Sequence, residues 1–299
     1  MTGDVSGNIY WLASYPKSGN TWVRAFIAHL RNEKTRDENV DAMDINTIYT
    51  GSIAASRTWI QMALDFDINE LSHDEVDRLR PEAYTWLSQR MALPEYHKIH
   101  DAYTTLSSGE PLIPCNATRG ALYIVRNPLD VAVSLAHHNQ SSIDAAIDKM
   151  ADQTSTFSGH TKKMNIQLRQ HLLTWSAHVE SWRDTSSFNV KLVRYEDMVS
   201  NPVPTFTEIA SFLELSNCET AVKASVEACQ FEKLKAQEND KVFKEKPQKA
   251  PSFFRKGQVD DWQTTLSKKQ VECVIRDHGE IMWSLGYLDE QTQPITHVC

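Results

Sequence analysis

No run of about 18 apolar residues, the length a helix needs to cross a bilayer, occurs in this chain, and its first residues hold no basic segment followed by a long apolar core. Neither a membrane span nor a secretion signal is expected. Cysteine is sparse: there are five (Cys115, Cys218, Cys229, Cys273, Cys299), an odd number with no Cys-x-x-Cys spacing. That pattern argues against a disulfide framework and against a zinc site, and it fits a reducing, cytoplasmic setting. No internal repeat and no low-complexity tract is present. Excess positive charge is missing too, since the formal net charge is −8, which argues against a broad nucleic-acid footprint.

The net charge conceals a local imbalance. From Glu232 to Lys256 there are eight basic residues against four acidic ones, whereas from Arg36 to Glu82 there are four basic against eleven acidic. The first stretch is Lys-rich and poor in aliphatics, with Pro247 and Pro251, and reads as a lid-like loop over 232–256. The second largely overlaps a polar, helical insertion over 39–92, expected on the acceptor side. At 299 residues one large sheet protein accounts for the length, so a single domain over 1–299 is expected.

What the chain does have is Ser14-Tyr15-Pro16-Lys17-Ser18-Gly19-Asn20-Thr21-Trp22, set between an apolar strand-like run, Ile9 to Ala13, and an apolar helix-like run, Trp22 to Leu30. A strand, a tight turn and a helix N-terminus make an anion site: backbone N–H groups converge, Lys17 adds charge, and the hydroxyls of Ser18 and Thr21 add donors. The nucleoside-triphosphate loop, Gly-x-x-x-x-Gly-Lys-Ser/Thr, needs its Lys after the second Gly, whereas Lys17 precedes the only Gly of this turn. A phosphate cradle for something other than ATP hydrolysis is implied.

Further along, Ala121 to Val125 reads as a buried strand bounded by Gly120 and Arg126, and Pro128 suits the first turn of the helix that follows. Arg126 would then end the strand and Ser134 would lie on the helix, a forked permanent cation and a rotatable donor suited to a phosphate monoester. Between His171 and Trp182, the residues Leu172, Trp175, Val179 and Trp182 recur at helical spacing and predict a core-facing stripe. The coarse order is a strand (Ile9 to Ala13), a helix (Thr21 to Arg31), the insertion, a strand near His97 to His100, the strand Ala121 to Val125 and a helix from Pro128. Two helices through Met150 to Trp182, a strand (Asn189 to Val193) and short helices (Phe206 to Leu213, Thr220 to Ala228) complete it. Such alternation predicts an α/β fold, a mainly parallel central sheet flanked by helices on both faces. Ligands of such sheets bind beyond the carboxyl ends of strands, where Lys17, His100, Arg126 and Tyr195 fall.

Tyr15 to Trp22 resembles the 5′-phosphosulfate loop of sulfotransferases that use 3′-phosphoadenosine 5′-phosphosulfate (PAPS), of the cytosolic type and in a bacterial-type form. Three more pieces fit in order. Arg126-Asn127-Pro128-Leu129-Asp130-Val131-Ala132-Val133-Ser134 looks like the family's 3′-phosphate element. Phe254-Arg255-Lys256-Gly257, followed by Asp261-Trp262, looks like the loop that closes over the same phosphate, and Lys98-Ile99-His100 looks like its Lys-x-His pair. Tyr195-Glu196-Asp197 also follows the family pattern, and the resemblance spans residues 15 to 262. It implies a P-loop-like three-layer sandwich, PAPS as donor and adenosine 3′,5′-bisphosphate (PAP) as product, and no metal. It also implies a small-molecule acceptor, no nucleic-acid partner, and a homodimer as the candidate assembly.

The resemblance further assigns Lys17, Ser18, Gly19, Asn20, Thr21 and Trp22 to the 5′ end of the cofactor and Arg126, Ser134, Arg255, Lys256 and Gly257 to the 3′-phosphate. Trp22 and Phe231 would flank the adenine, Tyr195 would complete the site, and Ser134 would restrain Lys17 until an acceptor arrives. Sulfuryl transfer asks for positioning and fixed positive charge, as phosphoryl transfer does. Lys17 suits the bridging oxygen, and His100 is the candidate base for a hydroxyl or amine acceptor. Lys98 shares a face with His100 if the segment is a strand, and would either contact the sulfuryl group or depress the basicity of His100. Departures from the family pattern are Cys229-Gln230-Phe231 where many relatives have Thr-Ser-Phe, Asn20 where many have Thr, and Asp260 in place of a frequent Gly. Two rivals remain at this point, a P-loop-like small-molecule kinase and a non-catalytic nucleotide-binding protein. The first lacks a convincing strand-end Asp for Mg²⁺, and the second has no need of Lys98 and His100 together.

Overall fold

Every residue from Ile9 to Ser14 is buried. A strand here therefore carries apolar side chains on both faces, which requires a sheet covered on both sides. The computed structural model describes residues 7–32, 44–48, 50–159, 166–241, 243–246 and 252–296. Its elements are β1 (Ile9–Ser14), α1 (Asn20–Asn32), α2 (Arg57–Leu64), α3 (His73–Arg90), β2 (Glu95–Ile99), β3 (Thr118–Val125), α4 (Pro128–Asn139), α5 (Ile143–Ala151), β4 (Thr156–Phe157) and β5 (Gln170–His171). There follow α6 (Trp175–Arg183), β6 (Val190–Arg194), α7 (Tyr195–Ser200), α8 (Pro202–Phe212), α9 (Glu219–Ala228), α10 (Phe231–Asp240), α11 (Trp262–Thr265) and α12 (Lys268–Ser284). The four-stranded sheet runs in the order β2-β1-β3-β6 and is mainly parallel and flanked by helices, as the alternation predicts. β1 and β2 pair in parallel, with Ile9 opposite Glu95 and Ala13 opposite Ile99.

Where the length reads as one domain, the chain gathers into two compact units assembled from separated stretches. The first holds Met1–Tyr15, Gly51–Tyr123 and Asp152–Leu192; the second holds Pro16–Thr50, Ile124–Ala151 and Val193–Cys299. The insertion over 39–92 is divided between them. Its helical character holds in α2 and α3, and residues 39–43 and 49 lie outside the described residues.

In the first unit, Trp11 meets Tyr84 of α3 edge-on at 5.1 Å and donates its indole N–H to Thr118 Oγ1 at 2.9 Å. A capping box between Ser72 and Glu75 starts α3. On the inner side of that helix Arg80, fully buried, forks onto the equally buried Asp101 at 2.7 and 3.1 Å, and Asp77 takes Arg169 and His171. Removing one member of such a pair costs roughly 3–5 kcal/mol, because the other charge stays buried. Trp175, Val179 and Trp182 are fully buried on α6, as their spacing predicts.

Where the sequence predicts two helices through Met150 to Trp182, the described residues beyond the end of α5 hold one, α6. Asp152 accepts the N–H of Thr154 in an Asx turn, β4 and β5 pair as an antiparallel ribbon, and Leu173 takes a left-handed φ of 56° before the Thr174 cap of α6. The local cause is a Thr- and Ser-rich run ending at Gly159, which offers the backbone side-chain partners in place of a helix. Leu172 is buried there without being helical.

In the second unit, Asn127 caps α4 through the N–H of Leu129 at 3.1 Å, with Pro128 at the first helical position as read from sequence. Phe26 of α1 packs on Phe206 of α8 at 4.5 Å. The stretch over 232–256 departs from a loop, because α10 occupies its beginning. Leu234 and Glu238, one turn apart, are buried, and the Glu238 carboxylate accepts the amide N–H groups of Phe253 and Phe254 at 2.5 and 2.8 Å. Lysines on the other positions hide this amphipathicity in the sequence. Residues 242 and 247–251, with Pro247 and Pro251, lie outside the described residues, as does Cys299. The long helix α12, which the sequence reading missed, had a visible signal in its Ser267–Gln270 capping box.

His278 on α12 is buried, and desolvation pulls its imidazole down to about 4 from 6.5. His178 on α6 is fully buried and is pulled down to about 4 in the same way. Between pH 6.5 and 4 the unfolded chain therefore binds protons that the native protein refuses, so this contribution is intact above pH 6.5 and is lost as the pH falls toward 4, by roughly 3 kcal/mol per group. Asp130 and Glu196, raised by burial, act in the opposite sense. Urea unfolding at pH 7 and pH 4.5 checks the sign as a difference: His278→Leu should lose distinctly less stability across that interval than the unaltered protein.

Candidate active site

The turn between β1 and α1 bends through two left-handed residues, Lys17 at φ 73° and Gly19 at φ 103°. Position 19 must be glycine, because a Cβ there would stand 2.7 Å from the Tyr195 ring. The Gly19 carbonyl starts α1 by accepting the N–H groups of Trp22 and Val23 at 3.0 and 3.3 Å. Ser18 is fully buried, and its hydroxyl has no hydrogen-bond partner among the described residues. A buried donor left unmatched beside a helix N-terminus fits a site whose ligand is an anion. Lys17 Nζ lies 3.4 Å from His138 Nδ1 and 4.4 Å from the centre of the Phe253 ring.

Arg126 stands immediately after β3. Its guanidinium donates to the carbonyls of Lys17 at 3.4 Å and Gln258 at 2.9 Å, approaches Asp130 at 3.5 Å, and lies over the Tyr195 ring at 4.4 Å. Its Nε is buried with no partner among the described residues. Tyr195 donates its hydroxyl to the Gly257 carbonyl at 3.1 Å. Gly257, at φ 64°, presents its Cα to the Phe231 ring so closely that a Cβ would meet the ring at 2.3 Å. Trp22 and Phe231 share one apolar cluster with Phe243 and Phe254, and each remains only partly buried, which leaves ring surface for a flat ligand.

Arg255 and Lys256 both pair with Asp261, Lys256 at 2.5 Å. Burial would raise the Asp261 carboxyl, but the hydrogen bonds and charges of Lys256 and Arg255 outweigh it and hold the group below the ordinary carboxylate value. Asp130 carries the loop on backbone groups, accepting the N–H of Asp260 at 2.9 Å and of Trp262 at 3.1 Å. Asp260 itself sits at a left-handed φ of 62°, a conformation that glycine adopts without strain; its carboxylate takes the Trp262 indole at 3.3 Å.

The second unit thus brings together the sequence-predicted Lys17, Ser18, Gly19, Asn20, Thr21, Trp22, Arg126, Tyr195, Phe231, Arg255, Lys256 and Gly257. Ser134 is in the same unit on α4, half-buried, and makes no side-chain hydrogen bond to a described residue. His138 on the same helix lies beside Lys17. Burial, then the charges of Arg255 and Lys17, hold the neighbouring His137 below the usual imidazole value. His137, His138, Asp130 and Phe253 were missed by sequence reasoning. The signal for the histidines was their spacing, three and four residues beyond Ser134 on one helical face.

Lys98 and His100 belong to the first unit. Lys98 lies within β2, opposite Leu12, and its carbonyl accepts the N–H of Ala54 at 2.8 Å. His100 follows the end of that strand, and its Nδ1 is 2.8 Å from the Ser14 carbonyl and 3.3 Å from Ser14 Oγ. A carbonyl can only accept, so in the neutral ring Nδ1 carries the proton and Nε2 the lone pair.

The family model for a "Sulfotransferase domain" matches residues 9–282. The flavonol 3-sulfotransferase of Flaveria bidentis is 25% identical over 291 residues, covering 93% of this chain and 83% of that protein. Cytosolic sulfotransferase 17 of Arabidopsis thaliana is 25% identical over 308 residues, covering 95% and 77%. Among solved structures, a mouse sulfotransferase complexed with PAP superposes with a TM-score of 0.56 at 20% identity, covering 92% of this chain and 84% of that one.

The Phe231 contact gives a direct test of the Gly257 turn. Gly257→Ala should lose roughly 1–3 kcal/mol, from the left-handed φ and the clash with the ring. Gly109→Ala, at φ 88° with nothing within 4 Å, should lose only the smaller conformational part. Urea denaturation of the two variants reads the difference.

Proposed function

The chain belongs to the sulfotransferase family, and from that premise we propose that it moves a sulfuryl group from PAPS to a hydroxyl or amine of a small-molecule acceptor. The observation that carries this reading is the β1–α1 turn, where the buried Ser18 hydroxyl lacks a partner among the described residues beside Lys17. When bound, PAPS supplies an activated sulfuryl group whose leaving group is a phosphate. Lys17 supplies positive charge for that phosphate, with donors from Ser18, Thr21 and the first amides of α1. Arg126, Ser134, Arg255 and Lys256 hold the 3′-phosphate, and Trp22 and Phe231 flank the adenine, each ring face worth about 1–3 kcal/mol. His100 takes the acceptor proton at Nε2, and Lys98 adds positive charge on its strand. Among the described residues no helix is long and apolar enough to cross a membrane. A cytoplasmic setting is supported by the name of the Arabidopsis relative and by Cys115, Cys218, Cys229 and Cys273 forming no disulfide with one another.

Incubation with PAPS labelled in its sulfur and a panel of phenols, alcohols and amines tests the reading. Labelled product should form and survive EDTA, and His100→Ala should abolish it while calorimetric affinity for PAP stays within about threefold. Label transfer lost on chelation and restored by Mg²⁺ would overturn the proposal in favour of a kinase-like mechanism.

Lys256, half-exposed and paired only at its tip with Asp261, gives a gentle probe of the 3′-phosphate assignment. A charge-assisted hydrogen bond to phosphate is worth about 1.5–3 kcal/mol, so Lys256→Ala should weaken PAP roughly ten- to a hundred-fold and leave adenosine 5′-phosphosulfate nearly unaffected. Equal losses for both ligands would place Lys256 elsewhere.

A further inference from the structure

Three side chains on one face of α10, those of Phe231, Lys235 and Glu238, each reach the segment that ends in the Arg-Lys-Gly loop. Spaced four and then three residues apart, they stand one above another on the helix. The Glu238 carboxylate accepts the amide N–H of Phe253 at 2.5 Å with one oxygen and that of Phe254 at 2.8 Å with the other. Lys235 Nζ donates to the Arg255 carbonyl at 3.0 Å. The Phe231 ring covers Gly257 on the side where any other residue would carry its Cβ. As the chain runs from residue 253 to 257, its partners therefore run backward along the helix, from 238 to 231. Seven residues of helix rise about 10.5 Å, and four residues of chain span at most about 14 Å, so a segment fastened at both ends has little slack.

Glu238 is buried, and among the described residues its carboxylate makes no ion pair; both of its partners are amides. Two consecutive N–H groups that converge in this way form the kind of concavity that receives an anion, and here the anion is a side chain of the same protein. A carboxylate offers an acceptor oxygen to each amide, whereas a glutamine would offer one oxygen and turn its NH2 toward the other N–H. Lys235 completes the hold with the opposite polarity, a donor aimed at a carbonyl. The backbone of Phe253, Phe254 and Arg255 is thus fixed by α10, while the cationic groups of Arg255 and Lys256 rest on Asp261. A phosphate that takes the place of Asp261 on those two cations leaves the α10 bonds untouched.

We propose that Glu238 and Lys235 are positioning residues of the 3′-phosphate site: by holding the backbone of Phe253, Phe254 and Arg255 against α10, they keep Arg255 and Lys256 ordered before the ligand arrives. Neither residue is asked to touch the ligand. A loop that must be ordered at the moment of binding subtracts that entropy from the affinity, and a loop already fastened avoids the loss. Adenosine 5′-phosphosulfate, which has no 3′-phosphate, gains nothing from ordered Arg255 and Lys256 and serves as the internal reference. The proposal rests on the reading of Arg255 and Lys256 as holding the 3′-phosphate, and Lys256→Ala tests that reading separately.

Glu238→Gln keeps the size of the side chain and removes one of its two acceptors. In the ligand-free protein the Phe253 and Phe254 amides should lose about tenfold of their protection from hydrogen exchange. Calorimetry should show PAP weakened about five- to twentyfold, with adenosine 5′-phosphosulfate within about twofold. Lys235→Met, at a half-buried position where the fold is not at stake, should weaken PAP about two- to fivefold. Gln237→Ala gives up a 2.9 Å bond from the same helix to the Ile45 amide and should change neither ligand, which controls for a loosened α10. Combined with Lys256→Ala, Glu238→Gln should weaken PAP by less than the product of the two separate factors, because there is less left to position once one cation is gone. Unchanged amide protection, PAP affinity unchanged in both Glu238→Gln and Lys235→Met, equal losses for the two ligands in Glu238→Gln, or fully multiplicative losses with Lys256→Ala would each overturn the proposal. If Lys256→Ala itself treats the two ligands alike, the 3′-phosphate reading has failed and the proposal falls with it.

Discussion

The second unit is organised around one aromatic ring. Tyr195 fills the space where Gly19 would carry a Cβ, lies under the Arg126 guanidinium at 4.4 Å, and reaches the Gly257 carbonyl with its hydroxyl. The β1–α1 turn, the residue after β3 and the Arg-Lys-Gly loop are separated by more than a hundred residues along the chain, and this side chain touches all three. A cation–π contact and one hydrogen bond contribute only about 0.5–2 kcal/mol each. Their importance is geometric: with the ring wedged on both sides, none of the three segments can shift alone. Burial raises the Tyr195 phenol, so it stays a neutral donor across the physiological range.

An acidic protein holding an anionic ligand calls for local charge, and the structure shows how that charge is kept in place. Asp261 neutralises Arg255 and Lys256, Asp130 takes two backbone N–H groups of the same loop, and Glu196 accepts the Asn127 N–H and the Tyr287 hydroxyl. These carboxylates fix the frame on which the cations are mounted. Asp130 and Glu196 face mostly backbone and phenol donors, and burial raises both. Asp261 faces two cations and is lowered. The difference is one of partners, since charged donors offset a desolvation cost that neutral donors only soften.

The first unit is held by a different kind of interaction. Its centre is polar and buried: Arg80 with Asp77 and Asp101, and His178 with Tyr123. Such groups give little net stability compared with apolar substitutes, but each accepts very few arrangements. That restriction reaches the backbone of His100, whose carbonyl accepts from His178. The apolar residues around it, Trp11, Trp175 and Trp182 among them, supply the burial that makes the restriction strict.

Much of this was legible in the sequence because it is local. The strand, turn and helix at Ile9 to Leu30 follow from an apolar run, Gly19 and a second apolar run; Pro128 and Asn127 mark the start of α4; the tryptophans of α6 recur at helical spacing. The motifs gave the family, and with it a list of residues. The sequence could not say that the stretch before Phe253 begins as a helix, because its buried positions are only Leu234 and Glu238 among lysines, and Glu238 is buried for the sake of two distant amides. Nor could it turn the Thr-rich run after Asp152 into a ribbon, place His138 beside Lys17, or split the insertion between two units. Local pattern thus determined the elements and the chemistry available to them. Tertiary structure alone decided which nitrogen of His100 carries its proton, because a tautomer is set by the partners of a ring, and the carbonyl that accepts from Nδ1 belongs to Ser14, which lies 86 residues away in sequence and meets the ring only in the folded chain.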